Sequence, residues 1–477
     1  MQSKLLFGNI SISMKSKRIL RCRGKNAKDF FEFHSRRQKT MIVLKFGGTS
    51  LKNAEKIEQV KQIISQSLPR HPVVVVSAHS GVTDQLIELA HNALENRLSI
   101  QPIQQKHHQL LHNLHLPTTL IEDLLTELQD LLRGIQLVKE LTPRTLDYVM
   151  SFGERMSSRI VAAYLSNNGI DAIPICSYEM GLLTDSNFGR AQPLPQAFEN
   201  IASFLKKVSK LPVITGFLGK NLQNEITTLG RSGSDFSASI IGSAINAEEI
   251  QIWTDVNGIM SADPRVVPHA VSIEEMSFEE ASELAYYGAK VIHPSTMLPA
   301  MEKNIPVRIL NTYNPTHPGT LVKKHSAPSK NIAKAIASKR NILLINLVST
   351  HMLQQYGFMA KVFEVFARHK IVLDMIATSE ISVSITIDSP KNLDKAISEL
   401  QQYADVHVSE GKAILCIVGE GIREHSGVAA KTFSTLANEN IHVEMISQGA
   451  TKINLSLLVD NDHVSKAVQA LHKEFFE

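Results

Sequence analysis

Several short polar stretches carry residue types able to handle a charged substrate. "MIVLKFGGTS" (41–50) ends an apolar run in Lys45, followed by Gly47 and Gly48. Bare glycine backbone lets an anion approach the amides and a lysine neutralises it, so the pair reads as a phosphate site; a strand followed by a tight turn has the same composition. "VVVVSAHSGVTD" ends in small residues that leave room for a ligand, with Thr83 and Asp84 just beyond. "SFGERMSSR" places Glu154 after a glycine, and "TTLGRSGSDFSAS" (227–239) brings Arg231 and Asp235 ahead of a helical run. A loop feeding a helix N-terminus favours anions, because the first amides of the helix lack internal acceptors. "WTDVNGIMSADPR" carries Thr254, Asp255, Met260 and Arg265, and "GAKVIHPST" carries Lys290 and Val291. Singly each has a plainer reading: Arg231 and Asp235 as a surface ion pair, Lys290 as a solvated lysine. Together they point to a site for a highly charged nucleotide.

These stretches need a scaffold that gathers them, and the intervening sequence supplies one. From residue 41 to about 322, strand patterns ("IVLKF", "HPVVVV", "LPVITGFLG", "EIQIWTD", "IPVRILN") alternate with helical ones, including a helix near 53–66. Residues 102–168 read as mostly helical, interrupted at Pro117 and Pro143. The continuous β-branched run before Ser77 marks a strand covered on both faces. Strand–helix alternation implies an α/β fold with a mostly parallel sheet and helices on both faces. Ligands of such sheets gather at the carboxyl ends of the strands, where all the candidate residues fall. "PTHPGTLVKKHSAPSKN" (315–331) reads as a linker. Beyond it, "GFMAKVFEVFARHKIVLDMI" (357–376) repeats as "GVAAKTFSTLANENIHVEMI" (427–446), an offset of 70 residues that predicts two βαββαβ units.

Composition narrows the classes further. The 477 residues are 43% hydrophobic and 20% charged, as in ordinary globular proteins. The net charge of +4 comes from the first 40 residues, which hold 11 Lys/Arg against Asp29 and Glu32. The remainder has 39 basic and 44 acidic residues, a balance that gives no support to nucleic-acid binding. Residues 1–40 are expected to be a flexible, disordered extension, upstream of a true start at Met41, or a plastid transit peptide. No apolar stretch is long enough for a membrane helix. Cys22, Cys176 and Cys416 form no paired spacing, which suits a reducing, cytoplasmic compartment. His107, His108, His112 and His115 have helical metal spacing, but with no acidic residue among them a solvated helix face is expected and no resident metal is assigned. Trp253 is expected in the core.

In this order, "KFGGTS", "SFGERMSSR", "TTLGRSGSDFSA", "TDVNGIMSADPR" and "GAKVIHPST" resemble the aspartate kinase family of the amino-acid kinase fold. The resemblance covers roughly residues 41–475, and the two repeats are similar to ferredoxin-like ACT domains. It implies a catalytic domain at 41–322, a linker at 323–340, and ACT domains at 341–410 and 411–477, with strand exchange between them open. The implied reaction is ATP-dependent phosphorylation of the β-carboxylate of L-aspartate, with Mg2+ arriving with ATP. Lys45, Asp235 and Lys290 would be catalytic, and Thr83, Glu154 and Arg231 would hold the substrate. Lys45, Gly47, Gly48, Thr254, Asp255, Met260, Arg265, Lys290 and Val291 would contact the nucleotide. The acceptor carboxylate, with an ordinary pKa near 3.9, needs no general base. Met260, Ser232 and Phe236 depart from residues common in the family and bear on affinity.

The first repeat is similar to a lysine-binding ACT unit, which implies feedback inhibition by lysine. Gly357, Phe358, Met359, Asp374, Thr378, Ser379 and Glu380 are the implied effector residues. A homodimer through the ACT units, or a tetramer of such pairs, follows from the same resemblance. The competing reading is a catalytically silent amino-acid sensor, which would have no use for Lys45, Arg231, Asp235 and Lys290 together.

Overall fold

The computed structural model describes residues 41–477 except 289–292, 327–331, 350, 351, 353–355 and 450–452. The basic segment 1–40 and the candidates Lys290 and Val291 therefore lie outside the described residues. The strands are β1 (Ile42–Phe46), β2 (Pro72–Val76), β3 (Ala172–Ile175), β4 (Leu211–Thr215), β5 (Leu218–Lys220), β6 (Ile226–Thr228), β7 (Glu249–Thr254), β8 (Glu275–Ser277), β9 (Val307–Asn311) and β10 (Thr320–Lys323). Between them run α1 (Ala54–Ser67), α2 (Val82–Leu94), α3 (Gln101–Asn113), α4 (Glu122–Val138), α5 (Pro143–Asn167), α6 (Pro195–Leu205), α7 (Gly233–Ile245) and α8 (Phe278–Tyr286).

Eight strands form one sheet in the order β3-β4-β2-β1-β7-β9-β10-β8, parallel from β3 to β9, while β10 runs antiparallel to β9. Every residue of β1 and β2 is buried, as strands covered on both faces require. The period of two divides β1 between two cores. Ile42, Leu44 and Phe46 pack with Leu86 and Phe152 on one side, and Val43 packs with Ile240 and Ile241 of α7 on the other. Lys45 shares the face of Val43, so the strand aims its one charge toward α7. Pro143 starts a helix: Thr142 caps α5 by accepting the Thr145 amide (3.1 Å), and proline at the first position loses no hydrogen bond.

The C-terminal strands are β11 (Ala335–Val348), β12 (Ile376–Thr378), β13 (Ser382–Ile387), β14 (Asp405–Val418), β15 (Met445–Ser447) and β16 (Asn454–Asp460). They form a six-stranded sheet in the order β12-β13-β11-β14-β16-β15. Helices α9 (Phe358–Arg368) and α10 (Leu393–Leu400) belong to the first repeat, α11 (Val428–Asn438) and α12 (Val464–Phe476) to the second. The repeat is visible in the backbone: Gly357 and Gly427 cap α9 and α11 with φ of 87° and 93°, a conformation glycine adopts without a Cβ clash.

The repeats are not two self-contained βαββαβ units: they exchange a strand, the alternative that the sequence left open. β11 and β14 pair along their whole lengths, with register shifts around Ile342. Residues 342–348 pair with β13 and the start of β14, within the first repeat. Ala335–Arg340, expected as linker, instead pairs with Ala413–Val418 of the second repeat. The second unit thus takes its outer strand from upstream of the first. Limits at 340/341 and 410/411 would cut both long strands in mid-course.

Candidate active site

The carboxyl ends of β1 and β2, the first turns of α2 and α7, and the middle of α5 enclose a cleft of about 470 Å3. Its wall brings together Lys45, Gly48, Thr83, Glu154, Arg231 and Asp235, residues spread over nearly 200 positions of sequence. Lys45 Nζ lies 2.6 Å from Asp235 Oδ1, with side chains 9% and 12% exposed. β1 delivers the ammonium and the first turn of α7 delivers the carboxylate. Such a pair holds both side chains in place, and removing either partner strands a charge away from water.

Glu154 sits within α5 and is fully enclosed. The Ala78 amide donates to its Oε1 (3.0 Å), while Oε2 is buried with no partner among the described residues. Burial pushes this carboxyl up to about 8, against smaller opposing effects of the Ala78 amide and the Lys45 charge. Gly48 allows two backbones to meet beside Glu154: a Cβ there would lie 2.8 Å from the Ala78 carbonyl oxygen.

The structure separates some residues that the sequence grouped. The Gly47 amide donates to the Trp253 carbonyl (3.1 Å), so it is not one of the amides open to phosphate. Thr254, Asp255, Met260 and Arg265 do not line this cleft. Thr254 ends β7, next to β1, and its hydroxyl donates to Asp255 (3.2 Å). Arg265 is well exposed and grips Asp263 (2.6 Å). A Cβ on Gly47 would lie 3.6 Å from Lys45 Nζ and 3.6 Å from the Trp253 carbonyl oxygen.

Other contributors escaped the sequence reading. Asp147 is buried and accepts from the Gly189 and Thr228 amides (2.9 and 2.8 Å) and from the Thr228 hydroxyl (2.8 Å). It pins the loop before Arg231 to the loop carrying Arg190. His293, three residues after Lys290, has its pKa lowered by burial and then by the charges of Arg231 and Arg190. Nothing in the local sequence of Asp147 or Arg190 distinguishes them from surface charges. His107 is not on a solvated face: it is buried and packs edge-on to His79, with ring centroids 5.5 Å apart. The neighbouring Lys106 donates to the Ser80 carbonyl (2.5 Å), so α3 braces the loop after β2.

Around the expected effector residues, Asp374 is already engaged. Its side chain is 2% exposed, and its Oδ1 accepts from Lys339 Nζ (2.8 Å) and from the Tyr286 hydroxyl (2.6 Å). Lys339 also reaches Asp388 (3.0 Å). Asp374 Oδ2 is buried with no partner among the described residues. Phe358 is part of the hydrophobic core of the first repeat, Ser379 is bonded to Ser382 across a turn, and Glu380 is exposed. In the second repeat Lys412 plays the part of Lys339, joining Glu444 and Asp460.

Residues 40–311 match the Amino acid kinase family, and residues 345–403 and 415–475 each match the ACT domain. Aspartokinase 3, chloroplastic, of Arabidopsis thaliana is 39% identical over 95% of this chain and 85% of its own length. Lysine-sensitive aspartokinase 3 of Escherichia coli is 34% identical over 92% of this chain and 99% of its own. The crystal structure of E. coli aspartokinase III with aspartate and ADP superposes with a TM-score of 0.80 at 33% identity, covering 92% of this chain and all of that one. The form of that enzyme with lysine and aspartate gives 0.71 at 32% identity and the same coverage. With its parallel catalytic sheet, its paired C-terminal repeats and relatives this similar over nearly its full length, the chain belongs to the aspartokinases of the amino acid kinase family.

Proposed function

We propose that the cleft transfers the γ-phosphoryl group of ATP to the β-carboxylate of L-aspartate, giving 4-phospho-L-aspartate and ADP. A carboxylate oxygen attacks the γ-phosphorus as the bond to the β,γ-bridging oxygen breaks, and no proton has to move. The obstacle is repulsion between two anions, so catalysis rests on positioning and on cations placed where charge shifts. One opposite charge at 4 Å contributes on the order of 4 kcal/mol at an effective dielectric of ~20. The observation that carries this reading is the buried Lys45–Asp235 pair inside a cleft that also presents Arg231, Thr83 and Glu154.

In this reading Asp235 orients Lys45 toward the transferring phosphoryl group, with Gly48 leaving space beside it. Arg231 grips the substrate α-carboxylate in a two-pronged hydrogen bond, and the open Oε2 of Glu154 receives the α-ammonium, with Thr83 alongside. Gly47, Thr254, Asp255, Met260, Arg265 and Val291 would serve the nucleotide. Lys290, as the resemblance implies, would hold the nucleotide phosphates. Asp84, Glu154 and Asp235 are the carboxylates of the cleft wall. Mg2+ would arrive with ATP, where it neutralises phosphate charge. Mixing ATP, Mg2+ and aspartate with hydroxylamine traps an acyl phosphate as its hydroxamate. Wild type should form it, and Lys45→Ala should lose at least about 100-fold in turnover while keeping its circular dichroism. Undiminished turnover in that variant would remove the mechanism.

Lysine inhibition is proposed on the same footing. The effector ammonium would bind at Asp374 Oδ2, among Gly357, Met359, Thr378, Ser379 and Glu380, with Phe358 supporting from the core. The second repeat, with Gln448 and Gly449 in place of Thr378 and Ser379, would serve a structural or pairing role. Pairing of two copies through the six-stranded sheet is supported by the exposed isoleucines of its outermost strands, Ile376 at 37% and Ile446 at 50%. Assays with lysine, threonine and methionine separately, and light scattering for mass, check both; indifference to lysine or a monomer at assay concentration would refute them.

A further inference from the structure

Away from the cleft, α12 of the second repeat packs on the catalytic loop that follows β7. The seam carries His269 from that loop with His472 and Glu477 from the end of the chain. One ring nitrogen of each histidine and one carboxylate oxygen of Glu477 lie within 4.8 Å of one another. His269 Nε2 is 2.6 Å from Glu477 Oε1, and the two imidazole rings meet edge to face at 5.6 Å.

His472 is the informative member. It is 2% exposed, and its ring stacks on Phe476 at 4.6 Å, so its orientation is held by packing. Its Nε2 lies 2.9 Å from Ser261 Oγ, an oxygen that also accepts the Val271 amide (2.9 Å). Its Nδ1 is buried and has no partner among the described residues. A buried ring nitrogen left unpaired is costly and calls for an explanation. A surface ion pair between His269 and Glu477 accounts for two of the three residues and leaves this nitrogen unexplained. With Nε2–H donating to Ser261, Nδ1 carries the lone pair, the arrangement in which metal-binding histidines are held by a hydrogen bond from the other nitrogen.

We propose that His269, His472 and Glu477 form a binding site for a divalent transition metal of the zinc class, with water as the fourth ligand. Two imidazoles and one carboxylate suit zinc, cobalt or nickel and not magnesium, which prefers oxygen. Ligand distances near 2.1 Å place donors roughly 3.4 Å apart in a tetrahedron. Rotation of the exposed side chains of His269 (67%) and Glu477 (45%) around the fixed His472 closes the observed spacing. The bound ion ties the loop containing Met260 and Ser261, next to the expected nucleotide residues, to the last helix of the second repeat.

The test uses the full chain, stripped of metal, with Zn2+ competed against a chromophoric chelator and Co2+ as a spectroscopic probe. Wild type should take one Zn2+ per chain and show the intense visible absorption of tetrahedral Co2+. His269→Ala and Glu477→Gln change exposed ligands and leave the core intact; each should weaken Zn2+ binding at least tenfold and abolish the Co2+ band. Millimolar Mg2+ should not compete. Zn2+ affinity unchanged in both variants, or no Zn2+ retained by wild type at micromolar concentration, would overturn the site.

Discussion

Glu154 is a carboxyl whose environment reverses its ordinary behaviour. With burial pushing it up to about 8, the folded protein without substrate holds a proton there that the unfolded chain has released above its ordinary value of 4.5. Its contribution to stability is therefore full below that value and falls away as pH rises toward 8. Binding the aspartate ammonium favours the carboxylate, so the proton must leave as substrate arrives. KM for aspartate is expected to fall as pH rises from about 6.5 to 8, by up to tenfold per unit. Glu154→Gln should raise KM and flatten that profile, and initial rates across the pH range at saturating ATP check it. The tie between Lys45 and Asp235 makes a second prediction. Asp235→Ala leaves a buried ammonium unpaired and should cost about 3–5 kcal/mol of stability, read by chemical denaturation, besides its loss of turnover. The residue types here were legible in sequence, since a lysine before two glycines and an arginine four residues before an aspartate suggest an anion site. The raised carboxyl was not, because desolvation depends on what covers Glu154.

At the scale of elements, α8 links the catalytic sheet to the repeats. Its first turn carries a capping box, Ser277 with Glu280, and the fully buried Glu280 also accepts from Lys334 Nζ (2.8 Å) and the Glu420 amide (2.8 Å). Its last residue is Tyr286, bonded to Asp374. Both ends of one helix thus report on the regulatory sheet, and its C-terminal end runs toward Lys290 in sequence. Lys339 occupies the acidic group that an effector ammonium would need. Lys339→Met should therefore shift the lysine inhibition curve to lower concentration, by several-fold, with activity in the absence of lysine retained; titration of activity against lysine decides. An unchanged or weakened response would show that Lys339 does not compete. The partners of Glu280, 54 and 140 residues away, have no local signal in the sequence.

For the molecule as a whole, the exchanged strand makes the repeats one folding unit. A fragment of residues 411–477 lacks Ala335–Arg340 and exposes the edge of β14, so it should fail to melt cooperatively. A fragment of residues 332–477 should melt in a single transition, measured by circular dichroism. Two separate transitions in the longer fragment would contradict the pairing. Strand alternation and the 70-residue repeat are local patterns, and they were enough to determine the parallel sheet and the paired C-terminal units. The path of residues 335–340 was a different matter: an apolar strand next to a linker carries no label for its partner, and pairing energy depends on which edge it meets in space. The same holds for His472 against Ser261 and for Asp374 against Lys339. Periodicity specifies which residues are buried; only the packed chain decides what each buried polar group faces.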